Sequence, residues 1–383
     1  MTSVRAGRLE AGPRVGAGSN DPLAAAGAGR VPQGSHPMRL HVRALVAAVA
    51  IVACASGGVL SETGTAVLAQ ELAPVQVSLV SEAGEAAAAA HRSVVAADQL
   101  SDREHPVGEW HGFVLTHTGR RAVEASPRLG EAEAEEQAVT FGLGRRAGDD
   151  FWWGAALSVG RHDTGVSGAS LEGDTAVGSL HGTWRQGGLY LSGALNLGQA
   201  GLEIERSTTL GPAGNTERGS TTARQTGLDI GLSWVMGEAD GARHGPVLGL
   251  SWLDQELDGY HEGGRATTSL TFSRFARESL VVRGGYRFAF EAGSGRLGIR
   301  PYAAVAYETE LRGDPVAGSA GSDTTVERVA VEGFMPSENW LSIDLGVSMN
   351  LGGQASAVLG YSGRSGDRSR SDHLVNVGLR IAF

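Results

Sequence analysis

Histidines are the side chains in this sequence that most readily suggest catalysis or metal binding. None stands four residues from another, the spacing that places two metal ligands on one face of a helix. The sequence contains no G-x-S-x-G, H-E-x-x-H or Gly-Asp-Ser block. We therefore predict no enzymatic activity, no catalytic residue, no cofactor and no metal. The histidines considered are His105, His111, His117, His162, His181, His244, His261 and His373.

Charge excludes one class of partner and leaves one weak site open. The formal net charge is −10, and no block of Lys or Arg occurs, so we predict that the protein does not bind nucleic acid. The acidic run 130–137, GEAEAEEQ, has side chains that bind divalent cations weakly, but we favour a solvated loop. His111 and His117 share parity with Phe113 and Leu115, which predicts that they lie at the two interfacial ends of a strand.

Period-two alternation between apolar and polar residues recurs from Trp110 to the last residue. In residues 341–351, LSIDLGVSMNL, every odd position is apolar and every even position is polar or Gly. The closing residues repeat this pattern up to Phe383. Such alternation predicts strands with two chemically different faces.

About twelve segments of this kind can be counted between Trp110 and Phe383. Some are joined by short connections, whereas residues 199–224 and 312–336 are predicted to be long polar loops. Hairpins joined by tight turns and longer loops predict an up-and-down meander.

Alternation alone fits a soluble sandwich or a membrane barrel, so other features must decide. Polar faces with charges of both signs would be hard to bury in a sandwich core, whereas they can pair inside a barrel. Aromatic residues near strand ends suit the two membrane interfaces. We therefore predict an all-β fold, a transmembrane antiparallel up-and-down β-barrel. The aromatic residues are Trp110, Phe151, Trp152, Trp153, Trp184, Tyr190, Trp234, Trp252, Tyr260, Phe290 and Trp340.

The N-terminal region contains one apolar run, residues 44–60, preceded by Arg39 and Arg43. With Val67-Leu68-Ala69 as a small-residue cleavage site, residues 38–69 are predicted to be a secretory signal peptide. A permanent membrane helix is the poorer interpretation. Residues 1–37 are a misassigned start or an unstructured leader. Cys54 is either an acylated lipobox cysteine or an apolar residue of the removed signal, and we favour the second interpretation.

Residues 70–106 would form a linker before a barrel that spans 107–383. Within the linker, an Ala-rich stretch from Ser81 to Asp102 has helical character and would be about 33 Å long as a helix. That length is close to the thickness of the hydrocarbon core of a bilayer. The helix lies in the barrel lumen, or it is a surface helix or a disordered leader.

The C-terminal part resembles the autotransporter β-domain, in particular that of esterase- and lipase-type autotransporters. The segments that carry the resemblance are 257–272, 279–288, 299–311, 341–353 and 375–383, with Arg300-Pro301-Tyr302 and the terminal aromatic residue as the most specific parts. The resemblance implies an outer-membrane barrel of twelve strands that exports an N-terminal passenger, with a helix in its lumen. The linker is too short for a passenger domain, so we expect a passenger to be encoded elsewhere or lost.

The resemblance also implies site residues and partners. The last strand would be the signal read by the barrel-assembly machinery, through Val377, Leu379, Ile381 and Phe383. We expect outer-membrane lipid, that machinery and periplasmic chaperones as partners of a monomer. The alternative is a stand-alone pore or a barrel whose long loops bind something outside. Residues predicted to face the lumen are Arg283, Arg287, Arg300, Tyr302, Glu308, Glu310 and Asp344.

Overall fold

The structure of the chain is a computed structural model. The predicted signal peptide, Cys54 and the predicted helix at 81–102 lie outside the described residues. The structure describes residues 108–123, 132–166, 168–208, 215–237, 241–264, 268–291, 298–313, 317–322, 328–332, 338–352, 354–365 and 370–383.

The described residues form seventeen strands, of which twelve are long. No helix among these residues is long and apolar enough to cross a membrane. The long strands are β1 (Trp110–Val123), β2 (Ala132–Arg146), β3 (Phe151–Val166), β4 (Ala169–Gln186), β5 (Leu189–Thr208), β6 (Asn215–Trp234), β8 (Ala242–Leu257), β11 (Phe275–Phe290), β12 (Ile299–Gly313), β15 (Asn339–Gly352), β16 (Ala355–Ser365) and β17 (Arg370–Ala382). The short strands are β7 (Met236–Gly237), β9 (Tyr260–His261), β10 (Leu270–Phe272), β13 (Ala317–Ser322) and β14 (Arg328–Glu332).

The twelve long strands close into an antiparallel barrel. Each pairs with the next long strand along the chain, and β17 pairs with β1 from His111↔Ala382 to Val123↔Arg370. The backbone groups of Trp110 and Phe383 exchange two hydrogen bonds, of 3.2 and 2.8 Å, at the end of this pairing. No edge is left open between β1 and β17, so the predicted twelve-stranded barrel is confirmed.

Side-chain exposure alternates along the strands. On β5, Leu191, Leu195 and Leu197 are exposed, whereas Tyr190 and Asn196 are buried. Large apolar side chains therefore point outward over much of the barrel, where the inner face is mostly polar or small, the pattern expected of a barrel in lipid. The end at which β1 begins and β17 ends carries four outward tryptophans and is called here the tryptophan end; the opposite end is the far end. These tryptophans are Trp110, Trp153, Trp184 and Trp234.

Two expectations about individual side chains were wrong. His111 and His117 are not interfacial but buried, with exposures of 8% and 3%, because their parity on β1 places them on the inner face. Three aromatic residues expected at the membrane interfaces, Tyr190, Tyr260 and Trp340, are likewise buried. Local alternation identifies two faces of a strand, but only the closed barrel shows which of them is inside.

Three segments expected to be loops are largely strand. Residues 199–208 and 215–224 are the far ends of β5 and β6, which pair up to Thr208↔Asn215. The region 312–336 contains the hairpin of β13 and β14. The acidic run 130–137 enters β2 at Ala132. These strands are obscured in the sequence because the outer face is polar in this part of the wall, which extends beyond the apolar band, and because the apolar residues of β5 change to the inner face.

Candidate functional site: the inner wall of the barrel

The middle of the inner wall is a network of hydrogen-bonded polar side chains. Asp229 on β6 accepts hydrogen bonds from Asn196 Nδ2 at 3.0 Å and from Ser251 Oγ at 2.6 Å. Ser179 Oγ on β4 donates to Asn196 Oδ1 at 2.6 Å. Ser179, Asn196, Asp229 and Ser251 lie on the neighbouring strands β4, β5, β6 and β8, so these hydrogen bonds connect the polar faces of four consecutive long strands.

The three arginines predicted to face the lumen lie on β11 and β12. Arg287 is buried, and its guanidinium Cζ lies 5.8 Å from the centre of the Tyr190 ring on β5. Arg283 passes beside Gly249 on β8, where an added Cβ would be 3.0 Å from its Nε. Arg300 pairs with Glu291 at 3.0 Å. Arg283 and Arg287 do not share the exposed parity of Tyr286 and Phe288 on β11, and Arg300 does not share that of Ile299 and Val305 on β12.

Tyr302 and the predicted acidic residues occupy three separate places. The Tyr302 ring lies over Gly346, and Asp344 on the same strand as that glycine accepts a hydrogen bond from Ser362 Oγ at 2.6 Å. Glu308 on β12 is buried at 7% exposure.

Glu310 lies near the far end of β12. It accepts hydrogen bonds from Ser279 Oγ and from the Leu280 backbone N–H, both at 2.9 Å, and lies 3.8 Å from Arg277. The seven predicted side chains therefore line separate levels of one wall and do not converge on a single point.

Near the tryptophan end, arginines are the main charged side chains on the inner face of the barrel. Two guanidinium groups lie near the ring of Tyr190: Arg185 Cζ is 5.5 Å and Arg287 Cζ is 5.8 Å from the ring centre. These guanidinium groups concentrate positive charge at this level of the wall. The arginines of this level are Arg146, Arg185, Arg243, Arg287 and Arg380.

Histidines on the inner wall are dispersed. His117 Nε2 lies 3.2 Å from Glu136 Oε1, and His162 is buried on β3, the strand next to that carboxylate. No group of three or more His, Cys, Asp or Glu side chains in the described part of the chain has an arrangement that would hold a metal ion.

Comparisons with known proteins agree with this architecture. The translocator domain of autotransporter NalP from Neisseria meningitidis superposes with a TM-score of 0.62 at 20% sequence identity, over 79% of this chain and 98% of that one. The beta domain of the Bordetella autotransporter BrkA gives 0.52 at 14% identity, over 72% and 100%. No curated protein sequence matches the chain. The family model described as autotransporter beta-domain matches residues 118–362, well over half of the chain.

The chain belongs to the autotransporter β-domain family. The family predicted from residues 300–302 and the terminal aromatic residue is thus confirmed. The last strand of this β-domain exposes the side chains predicted to serve as an assembly signal: Val377, Leu379, Ile381 and Phe383 are 52, 43, 48 and 65% exposed.

Sequence reasoning missed a buried core at the far end of the β-domain. There the inner faces of the extended strands pack an apolar cluster that includes Leu202 and Ile204 of β5 with Leu270 and Phe272 of β10. Beside this cluster, Arg206 forms an ion pair with Glu262, and both side chains are fully buried. Arg206 Nε donates to Glu262 Oε1 at 3.0 Å. The inner side of the wall is therefore packed as a hydrophobic core with a buried ion pair at the far end.

A sequence signal for this core exists on β5. Apolar residues occupy odd positions up to Leu197 and even positions from Ala200 to Ile204, with Gln199 and Glu203 now on the outward face. The strand keeps its register in its pairing with β6, so the two faces exchange chemistry without a bulge. The inversion separates an apolar stretch of the outer face from a polar one.

Proposed function

We propose that this β-domain is a translocator barrel of the cell outer membrane that exports the polypeptide N-terminal to it. The observation that carries the proposal is a closed barrel of twelve strands with apolar side chains outward and a charged, hydrogen-bonded inner wall. The finer resemblance to esterase- and lipase-type autotransporters is proposed on the segments 257–272, 279–288, 299–311, 341–353 and 375–383, of which Arg300-Pro301-Tyr302 and the terminal aromatic residue are the most specific parts. We propose transport, not catalysis, as the activity of the barrel.

The dimensions of the apolar band support a membrane location. On β5 the band runs from Leu189 to Leu197, nine residues. At about 3.3 Å per residue and a tilt of about 40°, this length spans about 23 Å, close to the band height of outer-membrane barrels. The two longest connections between long strands, 258–274 and 314–338, lie at the far end, whereas none at the tryptophan end exceeds eight residues. This difference favours the periplasmic side for the tryptophan end, because periplasmic turns are short.

Charge complementarity supports passage of the N-terminal segment through the lumen. Residues 70–106 contain six acidic residues and two arginines, a net charge of −4, whereas the inner wall near the tryptophan end is rich in arginine. Because β1 begins at that end, a helix at 81–102 that ran through the lumen would pass this cationic level. We propose that Arg283, Arg287, Glu308 and Glu310 line its path.

Conductance in planar bilayers tests the proposal. Deletion of residues 70–106 from the full chain should raise single-channel conductance severalfold, because a helix would no longer fill the lumen. Deletion of residues 211–212, which leaves four residues to connect β5 and β6, is the control and should leave conductance unchanged. Equal conductance of the 70–106 deletion and the full chain would favour a stand-alone pore or a surface-binding barrel.

Assembly is the second part of the proposal. We propose that β17 is recognised by the barrel-assembly machinery through strand pairing, after delivery by periplasmic chaperones, and that the barrel functions as a monomer in outer-membrane lipid. The exposed row ending in Phe383 lies at the end of β17 that meets Trp110, so its free backbone edge would be available before β1 closes the barrel.

A further inference from the structure

Exposed arginines on the long strands pair with carboxylates toward the far end of the barrel but with an aromatic ring at the tryptophan end. Five of the six described exposed arginines on the twelve long strands lie toward the far end, and each forms an ion pair with a carboxylate. Arg161 lies 2.7 Å from Glu172, and Arg312 lies 2.8 Å from Glu278. The five pairs are Arg120–Glu133, Arg161–Glu172, Arg218–Glu205, Arg224–Asp258 and Arg312–Glu278.

The sixth exposed arginine, Arg145, is at the tryptophan end. It is paired across the sheet with Trp110 on β1 and with Trp153 on β3, so the three side chains lie side by side on the outer face. Its guanidinium Cζ is 5.4 Å from the centre of the Trp110 ring, and the two indole rings are 5.9 Å apart in an edge-on arrangement. Among the described residues no carboxylate forms an ion pair with Arg145.

The guanidinium of Arg145 has more N–H donors than its one hydrogen bond within the described part of the chain uses. Its Nε donates to the Gly108 carbonyl at 3.3 Å, which leaves the two terminal nitrogens of the guanidinium to other acceptors. A planar guanidinium binds a phosphate through two parallel hydrogen bonds. The flanking indoles add N–H donors and prefer the depth of lipid headgroups.

We propose that Trp110, Arg145 and Trp153 form a binding site for the phosphate group of a phospholipid headgroup. The proposal rests on the membrane location proposed above, and it adds a ligand that the translocation function does not require. Next to Trp110 on the same face is Gly112, flanked by Leu143 and Phe383: an added Cβ there would be 3.5 Å from Leu143 Cδ2 and 3.6 Å from Phe383 Cε1. The absent side chain leaves a shallow apolar track for an acyl chain beside the junction of β1 and β17.

Native mass spectrometry of the full chain in detergent, titrated with phosphatidylglycerol, tests the site. We expect Arg145→Gln to weaken lipid retention at least about tenfold, since a charged hydrogen bond contributes about 1.5–3 kcal/mol. Arg312→Gln removes an exposed arginine that is already paired and should bind as the wild type does. Heat-modifiable migration on gels checks that both variants are folded.

Two further arms identify the ligand. Millimolar inorganic phosphate should not displace the lipid, because the acyl chains contribute to binding; full displacement would assign the site to free phosphate and overturn the proposal. Equal lipid retention by Arg145→Gln and the wild type would also overturn it. The assay requires no transport, so its outcome is independent of the conductance test of translocation.

Discussion

The phenol ring of Tyr302 lies across the backbone of Gly346, its cross-strand partner on β15, and reaches Gly360 on β16. A Cβ added to Gly346 would be 2.6 Å from Tyr302 Cε1, and one added to Gly360 would be 3.0 Å from the Tyr302 hydroxyl oxygen. The same relationship recurs where Phe113 lies over Gly142 and His181 over Gly154. Glycines on the inner wall thus provide the space in which rings lie flat against neighbouring strands.

Replacing the glycine under this ring should destabilise the barrel. Gly346→Ala forces the Tyr302 ring off its site, and overpacking of this kind costs about 1–3 kcal/mol. Urea unfolding of the barrel in vesicles measures the free energy. Gly201→Ala is the matched control, because nothing lies within 4 Å of a Cβ added there. If Tyr302→Ala restores none of the lost stability in the Gly346→Ala background, the contact does not explain the loss.

The buried ion pair at the far end should be sensitive to loss of one partner. Glu262→Ala leaves the fully buried Arg206 without its carboxylate, and such changes cost about 3–5 kcal/mol. Glu172→Ala breaks the exposed pair with Arg161 and should cost no more than about 1 kcal/mol. The same unfolding assay compares the two variants. Similar losses would mean that the far-end core does not depend on this pair.

The inversion on β5 predicts where lipid ends. Leu195→Arg places a charge on the lipid-facing part of the outer face and should cost about 2–4 kcal/mol. Glu203→Arg lies on the same face of the same strand above the inversion and should change stability little. Folding equilibria in vesicles measure both. A large cost at Glu203 would place the boundary of the hydrocarbon core further along the strand than proposed.

The terminal aromatic residue should matter for assembly more than for stability. Deletion of Phe383 removes the last member of the exposed row on β17, and we expect severalfold less barrel in outer-membrane fractions, measured by immunoblotting. Val375→Ala trims the same face at a distance from the terminus and serves as the control. Equal loss in both variants would indicate a general effect of lipid contact and not recognition of the terminus.

Much of the fold could be predicted because its strands are chemically two-sided. The alternation in 341–351 predicts β15, whose odd residues Leu341, Leu345 and Leu351 are exposed. The same reasoning failed for His111 and His117, since β1 has apolar residues on both parities. It failed again for 199–224, where β5 exchanges its faces and the pattern is no longer continuous.

By itself, the sequence determined the strands, their approximate number and the family, because period-two alternation and the terminal aromatic residue are local features of the chain. Only the tertiary structure decided that His111 and His117 lie inside, which ring covers which glycine, and that Arg206 meets Glu262. Those relationships join residues on different strands, and the pairing of β1 with β17 joins the first strand to the last. They arise only when closure and register bring distant segments together, which no local pattern records.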